Sequence, residues 1–235
     1  MNSTSPYAVI FDVDGVLVDS YEAHRAAFMQ LADKLNTKFT DEDFTESFGR
    51  TSRDILRTWF DPEMSDEDVA LHDGEKEANY RALVTHEFPA MAGATELIDQ
   101  LHAAGFKQAM GSSGPPENVK LANTKLGSAH AFGALVTGMD VTHGKPDPEV
   151  FLVAADRLGI RPRDCCVIED APAGIQAARA AGMTAIGFAS RGRTRAELLA
   201  AQADLVVSDL KALSPHSITA LIAKVQAKQS INEER

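Results

Sequence analysis

Short runs of β-branched and aliphatic residues recur along the chain, and most of the later ones are separated by stretches with helical spacing. The runs predicted as strands cover residues 8–11, 108–110, 135–137, 166–168, 185–188 and 205–207. Between them, Leu97, Leu101 and Ala104 mark one helix face, Phe151, Ala154, Ala155 and Leu158 a second, and Ile218, Leu221, Ile222 and Val225 a third. Strands alternating with amphipathic helices predict an α/β fold around a parallel sheet. The Asp147-Pro148 step reads as a helix start, with Asp147 capping free amides and Pro148 at the first helical position, and Gly159 closes that helix.

Residues 20–88 break the alternation. They hold no convincing strand and instead space Tyr21, His24, Phe28, Leu31 and Leu35 as one helical stripe. The middle of this stretch is charged, and Asp61-Pro62 and Asp66-Glu67-Asp68 are placed to open or cap helices, so a small helical bundle is expected. The resulting division is a sheet domain from 1–18 and 89–235 and an all-helical insert over 19–88, with Pro89 to Gly93 returning the chain to the sheet. The tail from Gln229 is expected to fray.

Composition narrows the classes of partner. Against 34 Asp+Glu the chain carries 23 Lys+Arg, a formal net charge of −11, which argues against nucleic acid and anionic membrane. At 235 residues and 44% hydrophobic content it can build a full core. Cys165 and Cys166 are neighbours within an apolar run, where they neither staple a loop nor form a spaced metal site. A reducing cytosol fits that usage. The apolar run of Tyr7 to Phe11 is cut off by Asp12, too short for a signal peptide or a membrane span. The expectation is a cytoplasmic monomer.

The chemistry gathers at strand ends. After Phe11 come Asp12, Val13, Asp14 and Gly15, which put two carboxylates at alternate positions before a glycine turn. Like charges this close call for a cation between them or for shared proton work. A second acid pair, Glu169-Asp170, ends the run Cys165 to Ile168 and is followed by the helix entry Ala171-Pro172-Ala173-Gly174. In a parallel sheet the carboxyl ends of strands share one rim, so the four acids can converge on a hard, oxygen-loving ion such as Mg²⁺. Ser112, after the run 108–110, and Lys145, in Gly144-Lys145-Pro146-Asp147-Pro148, add a hydroxyl and an ammonium that favour oxyanions.

These motifs, in this order, resemble the haloacid dehalogenase superfamily, and specifically its β-phosphoglucomutase-like phosphatase branch. The resemblance spans nearly the whole chain and implies a Rossmann-like sheet core with a small helical cap inserted after the first strand. It further implies that Asp12 attacks phosphorus to form an aspartyl-phosphate, while Asp14 acts as acid and then base. Mg²⁺ would be held by the Asp12 side chain, the Asp14 backbone carbonyl and the Glu169-Asp170 pair. Ser112 with the amides of Val13 and Ser113 would hold phosphoryl oxygens, and Lys145 would bridge nucleophile and phosphate. In the cap, His24, Arg53 and Lys76 match positions that recognise sugar phosphate.

The substrate expected is therefore a small phosphorylated metabolite. The mutase resemblance calls for polar groups after Ser112 to grip a second phosphate, including a lysine and an asparagine, and this chain has Gly114-Pro115-Pro116 there. Proline offers no amide donor and no polar side chain, which favours a phosphatase over a mutase. Asp14 argues against dehalogenation, because a departing halide wants no proton. A phospho-accepting receiver module has the acids in a different order and lacks the insert, and a non-catalytic binding protein would not need every motif intact.

Overall fold

The computed structural model describes residues 6–48 and 50–233. It divides into two compact units, one of residues 1–18 and 90–235 and the other of residues 19–89. The first five residues, on which part of the N-terminal reading falls, lie outside the described residues.

In the larger unit, β1 (Ala8–Phe11), β2 (Lys107–Gly111), β3 (Ala134–Val136), β4 (Cys165–Glu169), β5 (Thr184–Phe188) and β6 (Leu205–Val207) form one sheet in the order β3-β2-β1-β4-β5-β6. Every pairing is parallel. The predicted runs 8–11 and 205–207 coincide with strands, whereas β3 sits one residue earlier than predicted, and β2 and β4 each extend one residue further at both ends. All residues of β1, β4 and β5 are buried. Helices cover both faces of such a sheet, which is why its central strands read as unbroken apolar runs.

The helical unit, described by itself, contains α1 (Tyr21–Leu35), α2 (Asp41–Ser47), the short α3 (Ser52–Ile55) continued by a π-helical turn over Leu56–Phe60, and α4 (Asp66–His86). Thr40, Thr51 and Ser65 cap α2, α3 and α4 through their side chains, and acids fill the first turns of α2 and α4. The triplet Asp66-Glu67-Asp68 is thus the first turn of α4 rather than its cap, while Asp61 accepts from the Glu63 amide in the preceding turn. Phe28, Ala32, Phe39, Phe44 and Ile55 make the core of this unit, joined by Tyr21, Phe48, Trp59 and Phe60.

The sheet is connected by α5 (Ala94–Ala103), α6 (Pro116–Lys125), α7 (Glu149–Leu158), α8 (Pro172–Ala180), α9 (Arg195–Ala200) and α10 (Pro215–Glu233). Phe151, Ala154, Ile175, Ala178 and Leu198, from α7, α8 and α9, share one apolar cluster with Ala8, Ile10, Ala109, Cys165, Val167 and Ala185 of the sheet. On α5, the Ile98 carbonyl accepts from buried Gln108 at 3.0 Å. Two predicted boundaries are corrected. Pro148 is the N-cap of α7 and Glu149 its first residue, because the Pro148 carbonyl accepts the first helical amide, from Leu152 at 3.0 Å, while the Asp147 carboxylate accepts the Glu149 amide at 2.9 Å. The tail from Gln229, expected outside the helix, is drawn into α10 as far as Glu233; Glu234 and Arg235 lie outside the described residues. Gly159 ends α7 in the left-handed conformation, as its position predicts.

Candidate active site

Strand order places the site. The chain enters the sheet at β1, builds outward through β2 and β3, and crosses back to lay β4 on the other side of β1. That reversal opens a crevice at the carboxyl ends of β1 and β4. Phe11 pairs with Ile168, so Asp12 and Glu169 are the next residues outward on adjacent strands. The Asp12 amide donates to the Ile168 carbonyl at 3.0 Å, fixing the start of the loop.

One oxygen from each of Asp12, Glu169 and Asp170 lies within 4.8 Å of the others, and all three residues are buried. Lys145 reaches this cluster from the segment before α7. Its Nζ donates to Asp12 Oδ1 and to Glu169 Oε1, both at 2.7 Å, and to the Gly111 carbonyl at 3.2 Å. The other Glu169 oxygen accepts the Ala171 amide at 2.7 Å. Two glycines make room. A Cβ on Gly174 would stand 1.8 Å from Glu169 Oε1, and one on Gly15, whose φ is +81°, would stand 2.0 Å from Asp170 Oδ2. Both acids therefore lie directly against backbone.

The electrostatics follow from crowding. Burial raises the Asp12 carboxyl well above the usual carboxylate range; Lys145 pulls it back, and the charges of Glu169 and Asp170 push it up again. Burial and Glu169 raise Asp170 to about 7, against the lowering effects of Ser190, Arg193 and Lys145. For Lys145, burial alone would favour the neutral amine, but the adjacent Asp12 and Glu169 outweigh it and hold the ammonium above its ordinary range. Three buried carboxylates thus face one ammonium. Their all-oxygen donor set and surplus negative charge suit a hard divalent cation.

Asp14 stands apart from this triad. Its Oδ2 lies beside the next loop, 3.8 Å from where a Gly114 Cβ would be, and Ser112 Oγ lies 3.2 Å from the same point. Ser112 is buried, its amide bonds the Val136 carbonyl at 3.0 Å, and its Oγ accepts the Gly114 amide at 2.9 Å. Ser113 is exposed. Gly138 packs behind this loop, where a Cβ would meet the Ser113 carbonyl oxygen at 2.5 Å. Val13 is buried, and its carbonyl accepts the Leu17 and Val18 amides at 2.9 and 3.0 Å, closing the turn that carries Asp14. One rim of the larger unit therefore brings together Asp12, Val13, Asp14, Ser112, Ser113, Lys145, Glu169 and Asp170.

The remaining predicted residues lie in the helical unit. Lys76 is 1% exposed, and its Nζ bonds His24 Nδ1 at 2.8 Å, Ser52 Oγ at 3.2 Å and Glu77 Oε1 at 2.8 Å. The His24 ring stacks on Tyr80 with centroids 3.9 Å apart. Arg53 is largely exposed and its Nε donates to Asp73 at 3.2 Å. Ser52, Glu77 and Tyr80 were not singled out in the sequence, although Glu77 beside Lys76 was a readable pairing.

The larger unit also holds a residue with no signal in the sequence. Ser190, just beyond β5, donates from Oγ to Asp170 Oδ2 at 2.7 Å. The cysteines carry no chemistry here, because burial pushes the Cys165 thiol up to about 12 and raises that of Cys166 further. Among the described residues, no helix is long and apolar enough to cross a membrane.

The chain is similar in sequence and fold to known proteins. The chain is 32% identical over 207 residues to validoxylamine A 7′-phosphate phosphatase of Streptomyces hygroscopicus subsp. limoneus, covering 86% of this chain and 92% of that protein. It is 33% identical over 197 residues to β-phosphoglucomutase of Bacillus subtilis (strain 168), covering 77% and 82%. The crystal structure of β-phosphoglucomutase from Clostridium difficile superposes with a TM-score of 0.83 at 25% identity, covering 94% of this chain and 99% of that one. The haloacid dehalogenase-like hydrolase model matches residues 7–182, and with the parallel sheet, the helical insert and the acids at the ends of β1 and β4, the chain belongs to that family of hydrolases.

Proposed function

We propose that this hydrolase is a Mg²⁺-dependent phosphatase acting on a small phosphorylated metabolite, a sugar phosphate or similar monoester, through an aspartyl-phosphate on Asp12. The observation that carries the reading is the Asp12–Lys145–Glu169 contact. A buried carboxylate beside an ammonium, at the mouth of the sheet crevice, is a nucleophile whose repulsion from a phosphate dianion is screened. Mg²⁺ would be held by the Asp12 and Asp170 carboxylates, the Asp14 carbonyl and Glu169, and would supply further neutralisation of the phosphoryl charge. Glu169 already gives one oxygen to Lys145 and the other to the Ala171 amide, so much of its contribution is to orient the ammonium.

The other residues divide the remaining work. Asp12 Oδ attacks phosphorus, and Asp14 gives its proton to the departing oxygen and then takes one from water. The Ser112 hydroxyl accepts from Gly114, which leaves its own proton to point at a phosphoryl oxygen, with the Val13 and Ser113 amides as further donors and Lys145 spanning nucleophile and phosphate. The helical unit is the cap that selects substrate. There His24 and Arg53 present polar groups, and Lys76, enclosed by its partners, holds His24 in place.

Identity to a named phosphatase and to a named mutase is nearly equal, so overall similarity does not separate the two activities. The loop after Ser112 favours the phosphatase. The Gly114 amide is spent on Ser112, and Pro115 and Pro116, which open α6, have none, so a second phosphate finds few donors there. Phosphate release should be measured across sugar phosphates, phosphoglycolate and nucleotides, for the wild type and Asp12→Asn. Release with one class, abolished in Asp12→Asn, supports the reading. Conversion of β-glucose 1-phosphate to glucose 6-phosphate without free phosphate would establish the mutase, and turnover in purified Asp12→Asn would remove Asp12 as nucleophile.

A further inference from the structure

We propose that Ser190 is a positioning residue for the metal site, locking the Asp170 carboxylate so that one oxygen is presented to the cation. The inference rests on the Mg²⁺ site proposed above, and extends it to a loop that none of the strand-end motifs includes.

Two contacts on Asp170 and two on Ser190 define the lock. Asp170 Oδ2 accepts the Ser190 hydroxyl at 2.7 Å. The same oxygen lies against the Gly15 backbone, so closely that a Cβ there would stand 2.0 Å away. Ser190 is itself fixed, because its amide donates to the Phe188 carbonyl at 2.8 Å and its carbonyl accepts the Arg193 amide at 3.2 Å in a tight turn. Phe188 ends β5, the strand beside β4, so the register of the two strands carries Ser190 to the flank of Asp170. With Oδ2 held on one side by a hydroxyl and on the other by backbone, rotation about the terminal torsion of Asp170 is hindered, and Oδ1 is the oxygen left to present to a cation.

The physical consequence concerns the cation, since outer groups that orient a ligating carboxylate typically change metal affinity 10–100-fold when removed. Without the hydroxyl the carboxylate is free to turn, and the site must order it again each time a metal binds. Arg193, whose positive charge also acts on Asp170, sits three residues along the same turn.

The test uses the full-length protein with Mn²⁺ as a spectroscopic stand-in for Mg²⁺. Mn²⁺ titrations followed by electron paramagnetic resonance give affinities for the wild type, Ser190→Ala and Ser190→Thr, and melting in EDTA reports the fold without metal. We expect Ser190→Ala to weaken Mn²⁺ roughly 10–100-fold while its EDTA melting point stays within a few degrees of wild type, and Ser190→Thr to restore binding. Ser190→Ala affinity within twofold of wild type overturns the inference, as does an affinity loss that Thr leaves uncorrected. A wild type that binds no Mn²⁺ at all instead overturns the metal reading itself, and the two failures are therefore separate.

Discussion

Two buried lysines, one in each unit, show how similar local wiring leads to different chemistry. Lys145 and Lys76 are each enclosed and each donates to a carboxylate within 2.8 Å. Around Lys76 the bonded carboxylate is Glu77, with Ser52 and His24 as further hydrogen-bond partners and the faces of Phe28 and Tyr80 alongside, while the nearby Asp73 is paired with Arg53. Around Lys145 the balance fails, because Asp12, Glu169 and Asp170 outnumber it. A closed cluster of the first kind holds helices and side chains in place. The second kind has a donor set and charge that suit another cation, and a carboxylate raised in pKa at a crevice is the candidate for chemistry.

The comparison is tested most severely by removing each ammonium. Lys145→Met should lower kcat for phosphate release by roughly 10²–10³-fold or more, the scale of losing a charge-stabilising donor. Lys76→Met should leave kcat within tenfold and act instead on KM, through a displaced His24, and on stability. Stranding buried Glu77 without its partner costs about 3–5 kcal/mol, readable by urea unfolding. If Lys76→Met lost kcat as severely as Lys145→Met, the contrast would fail.

A smaller effect is expected at the backbone. Gly15→Ala places a methyl into Asp170 at a positive φ, and should destabilise the fold by about 1–3 kcal/mol and weaken metal binding together. Its mirror in the helical unit is Gly74, where a Cβ meets nothing within 4 Å; Gly74→Ala should stabilise α4 by roughly 0.5–1 kcal/mol. Thermal melts of both variants in EDTA and in Mg²⁺ check the pair.

The charge argument is sharpened through pH. Asp12 and Asp170 are raised in the folded, metal-free protein, so it binds more protons than the unfolded chain between the ordinary carboxylate range and about 7. Their contribution to stability therefore falls as pH rises through that window. A bound cation must displace those protons, so the gain in melting temperature on adding Mg²⁺ should grow from pH 5.5 to 7.5. Each displaced proton is worth about 1.4 kcal/mol per pH unit, or several degrees in a chain of this size. A gain that is flat with pH would mean that these carboxyls are not the ones that hold the metal.

Much of this was legible in the sequence, for local reasons. Asp12 and Glu169 follow apolar runs directly, so their positions at strand ends could be read from the residues beside them. Lys145 was readable as an oxyanion-favouring rim element, but its pairing with Asp12, 133 residues away, came only with the resemblance. Ser190 was not legible at all. A serine before Arg191-Gly192 reads as turn chemistry, and its meaning depends on β5 lying next to β4, a tertiary fact. The π-helical turn at Leu56–Phe60 escaped for another reason, since a one-residue change in helical pairing leaves no mark in an apolar stripe. Pro148 stands one position earlier than its sequence suggests, since a proline's lack of an amide suits the N-cap as well as the first turn.

The central claim is that phosphorus passes through a covalent bond to Asp12, and the stereochemistry of hydrolysis tests it most directly. With a substrate made chiral at phosphorus by oxygen isotopes, two successive in-line displacements predict net retention of configuration in the released phosphate. Net inversion would show that water attacks phosphorus in a single step and would contradict the account.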